Sequence, residues 1–445
     1  MECLMNRRFN LFVSLTILVV AIGSARGQNP PRLFEATQAP IAFGEQEMSA
    51  VQGGISVKRS RAVKINLTLI DRKAADQILA KAPKAFGQGP VESLPSLKRL
   101  QLNLFDDVSF VTDLRRVSVS TDGKTVVWAG TIDGIKNSQV SLASTDGTVS
   151  GNVAVAGGKI YQIRPSEAAK GTSYILERDQ ASFPKEKEPK RVQPGRPRAA
   201  DLAPGTDDGS TIDVLVAYTS ASKKAAGGEN GIKNLIQIGL DETNQGYANS
   251  GVLQRIRVVH TVEVNYDESG GFDLALDRLT DPGDGYLDDV LDLRNQYGAD
   301  LVSLWINNSE YCGLANLMTQ LDPSFESTAF SVVNVTCATG YYSFAHEMGH
   351  NQGCQHDRNN AEGPGVYPYS YGYQQISANP IFRTIMAYDC SGAPCKRVNY
   401  WANPDVKYEG LPTGMGPSSG LAADDSLSLN NTRLVVSRFR NSVQR

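Results

Sequence analysis

The chain has 445 residues and a formal net charge of −3, with charged residues making up 20% of the sequence and mixed along its length. It is longer than one typical domain, and it has no basic helix or domain-wide positive bias, which excludes a nucleic-acid footprint. Only four histidines and six cysteines are present, so their placement carries much of the chemical information.

The N-terminus has Arg7 and Arg8, an apolar run from Leu11 to Ile22, then Ser24-Ala25-Arg26-Gly27. A basic start, a short apolar core and small residues before the cut predict a signal peptide over residues 1–27. The run is too short for a comfortable membrane span, and no later segment approaches that length. A soluble, secreted protein with no membrane partner is expected.

Residues 28–183 are patterned as strands. Asp122-Gly123, Asp133-Gly134, Asp146-Gly147 and Gly157-Gly158 alternate with short β-rich runs such as Thr125-Val126-Val127-Trp128 and Lys159-Ile160-Tyr161-Gln162-Ile163. Asp-Gly between such runs is a strong hairpin signal, so an antiparallel meander is predicted. Its position between a signal peptide and a differently patterned C-terminal half suggests a β-rich prodomain. Residues 184–210 form the boundary. Lys185 to Arg198 is basic and rich in proline (Pro184, Pro189, Pro194, Pro197), which predicts an exposed, extended linker and processing zone.

Residues 211–445 change pattern. Strands are predicted at Ile212 to Tyr218, Arg255 to Asn265, Leu301 to Ile306 and Thr328 to Val335. Helices are predicted at Asn230 to Ser250, at Asp284 to Tyr297, from near Tyr342, and at Asp425 to Phe439. The alternation implies an α/β (α+β) domain. Asp281 to Asp289 lacks a calcium-loop spacing and is expected to cap the second helix, leaving calcium binding open. His260 is expected to be a packed or surface strand residue.

The other three histidines lie in A-H-E-M-G-H-N-Q-G-C-Q-H-D-R, residues 345–358. On a helix, His346 and His350 stand one turn apart on one face, about 5–6 Å between Cβ atoms, which suits two ligands of one tetrahedral ion. Gly353 lies where the helix must stop and the chain turn, a job that favours positive φ, and the turn brings His356 round as a third ligand. One catalytic Zn²⁺ with an open fourth position is the expected cofactor. Glu347 lies where a carboxylate can take a proton from bound water and hand it to a leaving amine.

Downstream, Thr384-Ile385-Met386-Ala387-Tyr388 comes after an irregular, tyrosine-rich stretch. With the extended histidine motif, this resembles the metzincin clan, in which a methionine turn forms a floor beneath the zinc imidazoles; Met386 is the candidate. Asp357 after the third histidine resembles the reprolysin or adamalysin branch. The run C-S-G-A-P-C-K-R-V-N-Y-W-A-N-P-D-V from Cys390 is similar to the bacterial peptidyl-Asp metalloendopeptidases. The resemblance covers roughly Ile212 to Arg440. It implies a metzincin-like catalytic domain with a twisted mixed sheet and a zinc helix. The strand before that helix would be the sheet edge, to which substrate adds as a further strand.

Adamalysins carry proline two residues after the turn methionine, whereas this chain has Tyr388, as in astacins and serralysins. Tyr388 is therefore either an auxiliary oxyanion donor or displaceable fifth ligand, or a packed tyrosine with its hydroxyl bonded nearby. The resemblance also implies cleavage before aspartate, which needs a cation in the S1′ pocket. Arg397, then Arg383, and Lys396 are the basic residues at hand. Ala200-Asp201 or Thr206-Asp207 would then be candidate self-processing sites.

Five cysteines lie beyond Cys3, and the expected pairs are Cys312–Cys337 and Cys390–Cys395, with Cys354 a buried structural thiol; the odd count leaves connectivity open. Residues 28–200 contain neither cysteine nor histidine, which excludes a cysteine switch. A prosegment ligand would have to be a carboxylate or a backbone carbonyl; otherwise the prodomain blocks the cleft sterically or assists folding. The predicted function is a secreted, monomeric zinc endopeptidase acting on protein or peptide substrates, with its own prodomain as inhibitor or folding aid. The competing readings are a zinc-retaining pseudoenzyme or binding and adhesion module, and a small-molecule amidase. Glu347 argues against the pseudoenzyme, because only catalysis needs that carboxylate.

Overall fold

The structure is a computed structural model that describes residues 29–36, 49, 52–81, 90–155, 158–167, 169, 171–192, 207–392 and 394–443. The predicted signal peptide lies outside the described residues. So do Ala200-Asp201 and Thr206, hence both candidate processing bonds.

Nine strands form the first sheet: β1 (Phe34–Ala36), β2 (Arg59–Ile65), β3 (Lys98–Phe105), β4 (Val108–Val119), β5 (Thr125–Ile132), β6 (Ile135–Thr145), β7 (Thr148–Ala154), β8 (Lys159–Pro165) and β9 (Thr172–Asp179). They pair antiparallel in the order β1-β2-β9-β8-β7-β6-β5-β4-β3. Asp133-Gly134 and Asp146-Gly147 close two-residue hairpins, with φ of +75° and +80° at the glycines, the left-handed conformation that makes Asp-Gly a turn signal. Leu100, Leu102, Trp128, Val140 and Leu142 are buried in one cluster on this sheet. Helix α1 (Arg72–Leu79) starts where the Asp71 carboxylate accepts from the Ala74 N–H at 2.8 Å.

The second sheet contains β10 (Lys190–Arg191), β11 (Thr211–Thr219), β12 (Arg255–Val264), β13 (Leu301–Ile306), β14 (Gly313–Leu317) and β15 (Phe330–Asn334), in the order β10-β14-β15-β13-β11-β12. The helices are α2 (Ser220–Ala225), α3 (Glu229–Asn249), α4 (Gly271–Thr280), α5 (Asp288–Tyr297), α6 (Ser343–Asn351) and α7 (Asp425–Val436). The period-2 pleat sends alternate residues of β11 to opposite faces. Val214 and Val216 join the core that holds Ile232, Leu235 and Ile236 of α3, while Leu215 and Ala217 join Phe272, Ala275 and Leu276 of α4. The result is a mixed α/β layer structure with buried β-branched strands between helices. Among the described residues no helix is long and apolar enough to cross a membrane.

Three expectations are corrected. The strand before the histidine helix, β15, is interior, paired on both sides by β13 and β14. Beside it, and outermost on that side but for β10, lies the antiparallel β14, a strand not predicted. Second, the start of the linker is not an exposed spacer. Lys185 O accepts from Cys312 N at 3.1 Å and Lys187 N donates to Gly313 O at 2.9 Å. Lys190 and Arg191 then pair in parallel with Asn316 and Leu317, and Glu186 is fully buried. Third, the acid-rich run does not cap α5 from Asp284. The helix starts at Asp288, whose carboxylate accepts from the Gly283 and Gly285 N–H groups at 2.9 and 3.2 Å and so pins the preceding loop.

The two sheets meet across α3. Asn234 accepts from Thr145 Oγ1 at 2.6 Å and donates to Thr148 O at 2.9 Å, and Arg116 pairs with Asp241 at 2.7 Å. Glu242 accepts from Asn152 Nδ2 at 3.0 Å and Gly340 N at 2.7 Å. Burial above all, with Asp241 adding, pushes the Glu242 carboxyl up to about 7 against these bonds and Arg164. Because the folded pKa lies above the unfolded one near 4.5, the protonated form stabilises the fold. That stability is complete below pH 4.5, is lost as pH rises to about 7, and amounts to roughly 3 kcal/mol. In urea titrations of a Glu347→Ala chain with and without Glu242→Gln, the midpoint of the Glu242 chain relative to its Gln counterpart should therefore be higher at pH 5 than at pH 8, groups common to both chains, the histidines included, cancelling in the comparison. A difference between the two chains that does not change with pH would assign the effect to another group.

Candidate metal centre and cleft

Helix α6 carries His346 and His350 into the interior, and both rings are fully buried. Each is oriented by a backbone carbonyl: His346 Nδ1 lies 2.9 Å from Ile385 O and His350 Nδ1 lies 2.8 Å from Cys354 O. Gly353 ends the turn with φ +93°, and a side chain there would strike Val366. The reversal returns His356, whose Nδ1 lies 2.9 Å from Glu188 Oε2.

These partners fix the tautomers. A carbonyl or carboxylate oxygen only accepts, so every Nδ1 carries the proton and every Nε2 presents a lone pair. The three Nε2 atoms are 3.1 Å apart in all three pairings. Three lone pairs cannot hydrogen-bond one another. The arrangement is repulsive unless a cation sits among them, and the spacing fits nitrogens sharing one ion at about 2.0–2.1 Å. Burial, then for His346 and His350 the neighbouring imidazoles, holds all three well below the usual histidine pKa and so keeps them neutral. Among the described residues this is the one cluster of three or more His, Cys, Asp or Glu side chains able to hold a metal.

Met386 lies beneath α6. A Cβ on Gly349, between the two helical histidines, would fall 2.6 Å from Met386 Sδ and 2.7 Å from Trp401, so only glycine lets the helix settle this deep. Glu347 is fully buried, and neither carboxylate oxygen has a protein partner. A Cβ on Gly313 would lie 2.6 Å from Glu347 Cδ and Cγ, and closer still to Oε1; the edge strand therefore rests directly against this carboxylate. Burial, then the Glu186 charge, raises the Glu347 pKa well above the usual range, with Arg397 opposing.

Tyr388 packs its ring 4.0 Å from that of His356, and its hydroxyl donates to Glu186 O at 2.8 Å. Burial first, then the nearby Glu188, Glu186 and Glu347, raises its pKa, so it keeps its proton and remains a donor. Arg397, fully buried, forms an ion pair with Glu186 Oε1 at 2.7 Å and donates to Tyr341 O at 3.1 Å, with its guanidinium 4.3 Å over the Tyr341 ring. Ser343 Oγ donates to the same Glu186 oxygen at 2.8 Å. Arg383 is occupied by Ala387 O, Tyr341 Oη and Cys395 O. Lys396 points to Tyr408 Oη at 3.1 Å. Of the three basic residues considered from sequence, Arg397 is the one joined to the acidic side chain in the cleft.

The structure holds disulfides Cys312–Cys337 and Cys390–Cys395, and Cys354 is a buried free thiol. His260 stacks on Tyr297, centroids 3.8 Å apart. Glu186, Glu188, Ser343 and Gly313 were not singled out by sequence reasoning. The one visible signal was the E-x-E spacing of 186 and 188, hidden in a segment read as solvated.

Residues 208–402 match the family described as Reprolysin_5, metallo-peptidase family M12. The chain is similar to a peptidyl-Asp metalloendopeptidase of Stenotrophomonas maltophilia (strain R551-3), 38% identical over 311 residues, 68% of this chain and 70% of the relative. One from Xanthomonas campestris pv. campestris is 36% identical over 367 residues, 78% of this chain and 83% of the relative. A third, from Pseudomonas fragi, is 34% identical over 199 residues, 45% of this chain and all of the relative.

Proposed function

The chain belongs to metallo-peptidase family M12, and we propose that it is a zinc endopeptidase, made as a secreted precursor, that cuts extended peptides before aspartate. The observation that carries this reading is the convergence of three imidazole lone pairs beside the unpartnered carboxylate of Glu347. His346, His350 and His356 would hold the ion, which supplies a Lewis acid that lowers the pKa of a bound water to about 7 and polarises the scissile carbonyl. Glu347 takes the proton of the attacking water on a carboxylate oxygen and delivers it to the departing amine nitrogen. Tyr388, once its hydroxyl is free of Glu186 O, donates to the oxyanion.

Substrate is proposed to add to the side of β14 now occupied by Lys185 to Arg191. The relatives' names and the buried guanidinium of Arg397 support an aspartate preference, since arginine can hold a carboxylate through two parallel bonds. The proposed organisation is a signal peptide at 1–27, a β-rich prodomain at 28–183, a processed segment at 184–210 and a monomeric protease at 211–445.

Cleavage profiling on a proteome-derived peptide library tests the reading, with Glu347→Ala and a zinc chelator as controls. Cuts that vanish in both controls and cluster before aspartate are expected. Zinc-dependent cuts with another preference would discard the specificity, and no cutting by metal-loaded, processed protein would favour a binding module. A matched pair of Asp and Asn peptides tests Arg397 separately. Arg397→Gln should lower kcat/KM for the Asp peptide about 10- to 100-fold, the worth of a charge-assisted bond, and change the Asn peptide far less. An unchanged ratio would remove Arg397 from the pocket.

A further inference from the structure

The segment upstream of the protease half does more than cover the cleft. Backbone bonds at Lys185 and Lys187, then pairing at Lys190 and Arg191, lay it along β14 as an added strand. Its side chains alternate over Glu186, Lys187 and Glu188: Lys187 turns to Asp273 of α4, while Glu186 and Glu188 face inward. Beyond Pro189, Lys190 pairs with Asp277 of the same helix. The two inward residues meet different parts of the site. Glu188 bonds His356 Nδ1 and also accepts from Gln355 Nε2 at 3.1 Å. Glu186 is fully buried on Arg397 and Ser343, and its carbonyl holds the Tyr388 hydroxyl.

We propose that Glu186 is a pseudosubstrate side chain. In the unprocessed chain it fills the pocket, built by Arg397 and Ser343, that an acidic substrate side chain takes afterwards, and the strand carrying it denies substrate the edge of β14. The inference rests on the acidic preference proposed above and adds Ser343 as a specificity residue.

One feature favours a removable ligand over a permanent structural ion pair. Glu186 leaves its second oxygen, Oε2, buried without a protein partner, so Arg397 and Ser343 engage a single oxygen. Such incomplete satisfaction suits an occupant that must leave.

The test uses the full-length, zinc-loaded chain. In a Glu347→Ala background, which prevents self-cleavage, Glu186→Gln should let trypsin cut after Lys185, Lys187, Lys190 or Arg191 about tenfold faster or more, the loss expected for one charge-assisted bond. With Glu347 intact, the same change should raise hydrolysis of an Asp-containing reporter by a similar factor before any chain processing is detected. Glu186→Asp should restore part of the protection. If Glu186→Gln does not reach the wild-type unfolding temperature, Ser343→Ala, which removes one bond to the same oxygen, serves with the trypsin readout alone, because Ser343 also belongs to the proposed substrate pocket. A folded variant as protected and as silent as the wild type overturns the inference and leaves the specificity reading intact. A wild-type enzyme indifferent to acidic residues would instead remove the specificity reading and the pocket built on it.

Discussion

Glu347→Gln is expected to lower kcat/KM by about 10³-fold or more while the protein keeps one zinc per chain. General acid–base groups typically contribute 10²–10⁴-fold, and Glu347 is proposed to act twice, taking a proton and later giving it back. Metal binding should survive because the three lone pairs come from imidazoles that are each oriented by a different group, none of them Glu347. Glutamine keeps the volume beside Gly313 and loses only the ability to carry the proton. Steady-state kinetics with elemental analysis of the same sample would check this. Retention of about a tenth of the activity or more would remove Glu347 from the mechanism, and loss of zinc would mean that the carboxylate supports the metal site.

The second large effect comes from a residue with no side chain. Gly313→Ala should cost about 10²-fold in kcat, again with zinc retained. The new Cβ would overlap the Glu347 side chain, far inside the roughly 3.5–4.0 Å of ordinary carbon contact. One of the two must move. The strand is held by pairing of Gly313 with Val333 and by the adjacent Cys312–Cys337 disulfide, so the flexible carboxylate gives way. A displacement of about 1 Å in a reacting group costs on the order of 10²-fold. Overpacking should lower stability by about 1–3 kcal/mol, which a melting curve separates from the kinetic loss. Wild-type kcat would show that the strand retreats instead, and that Glu347 is held from elsewhere.

Much of this architecture was readable because its signals are local. The strand Leu301–Ile306 was predicted to the residue, and α3 and α6 to within one residue or so, since apolar period and turn chemistry act over a few neighbours. The histidine spacing was equally local, as one helical turn and one glycine reversal bring the three rings together. What escaped notice is tertiary. Gly313-Leu314-Ala315-Asn316-Leu317 is five residues long, opens with glycine and has no alternation, so nothing marks it as the edge that backs Glu347. Lys185 to Arg191 has the composition of a solvated spacer. Its acidic residues turn inward only because Arg397 and His356, some 170 to 210 positions away, provide partners. A charge's partner cannot be read from its own neighbourhood.

The contact across α3 has a consequence for what happens once the chain is divided. On the proposed processing, the nine-stranded sheet must eventually let go of that helix. The apolar cluster of the protease half takes in only Val127 and Ala143 from the sheet among the described residues. The polar contacts on α3 run from Asn234, Asp241, Glu242 and Gln245 to Thr145, Thr148, Arg116 and Asn152. Water can replace each of those partners. Departure therefore uncovers a hydrophilic flank along α3, and the apolar surface it bares lies apart from that helix, at Cys312, Cys337 and Tyr341, which Ile55, Ile160 and Phe183 now cover.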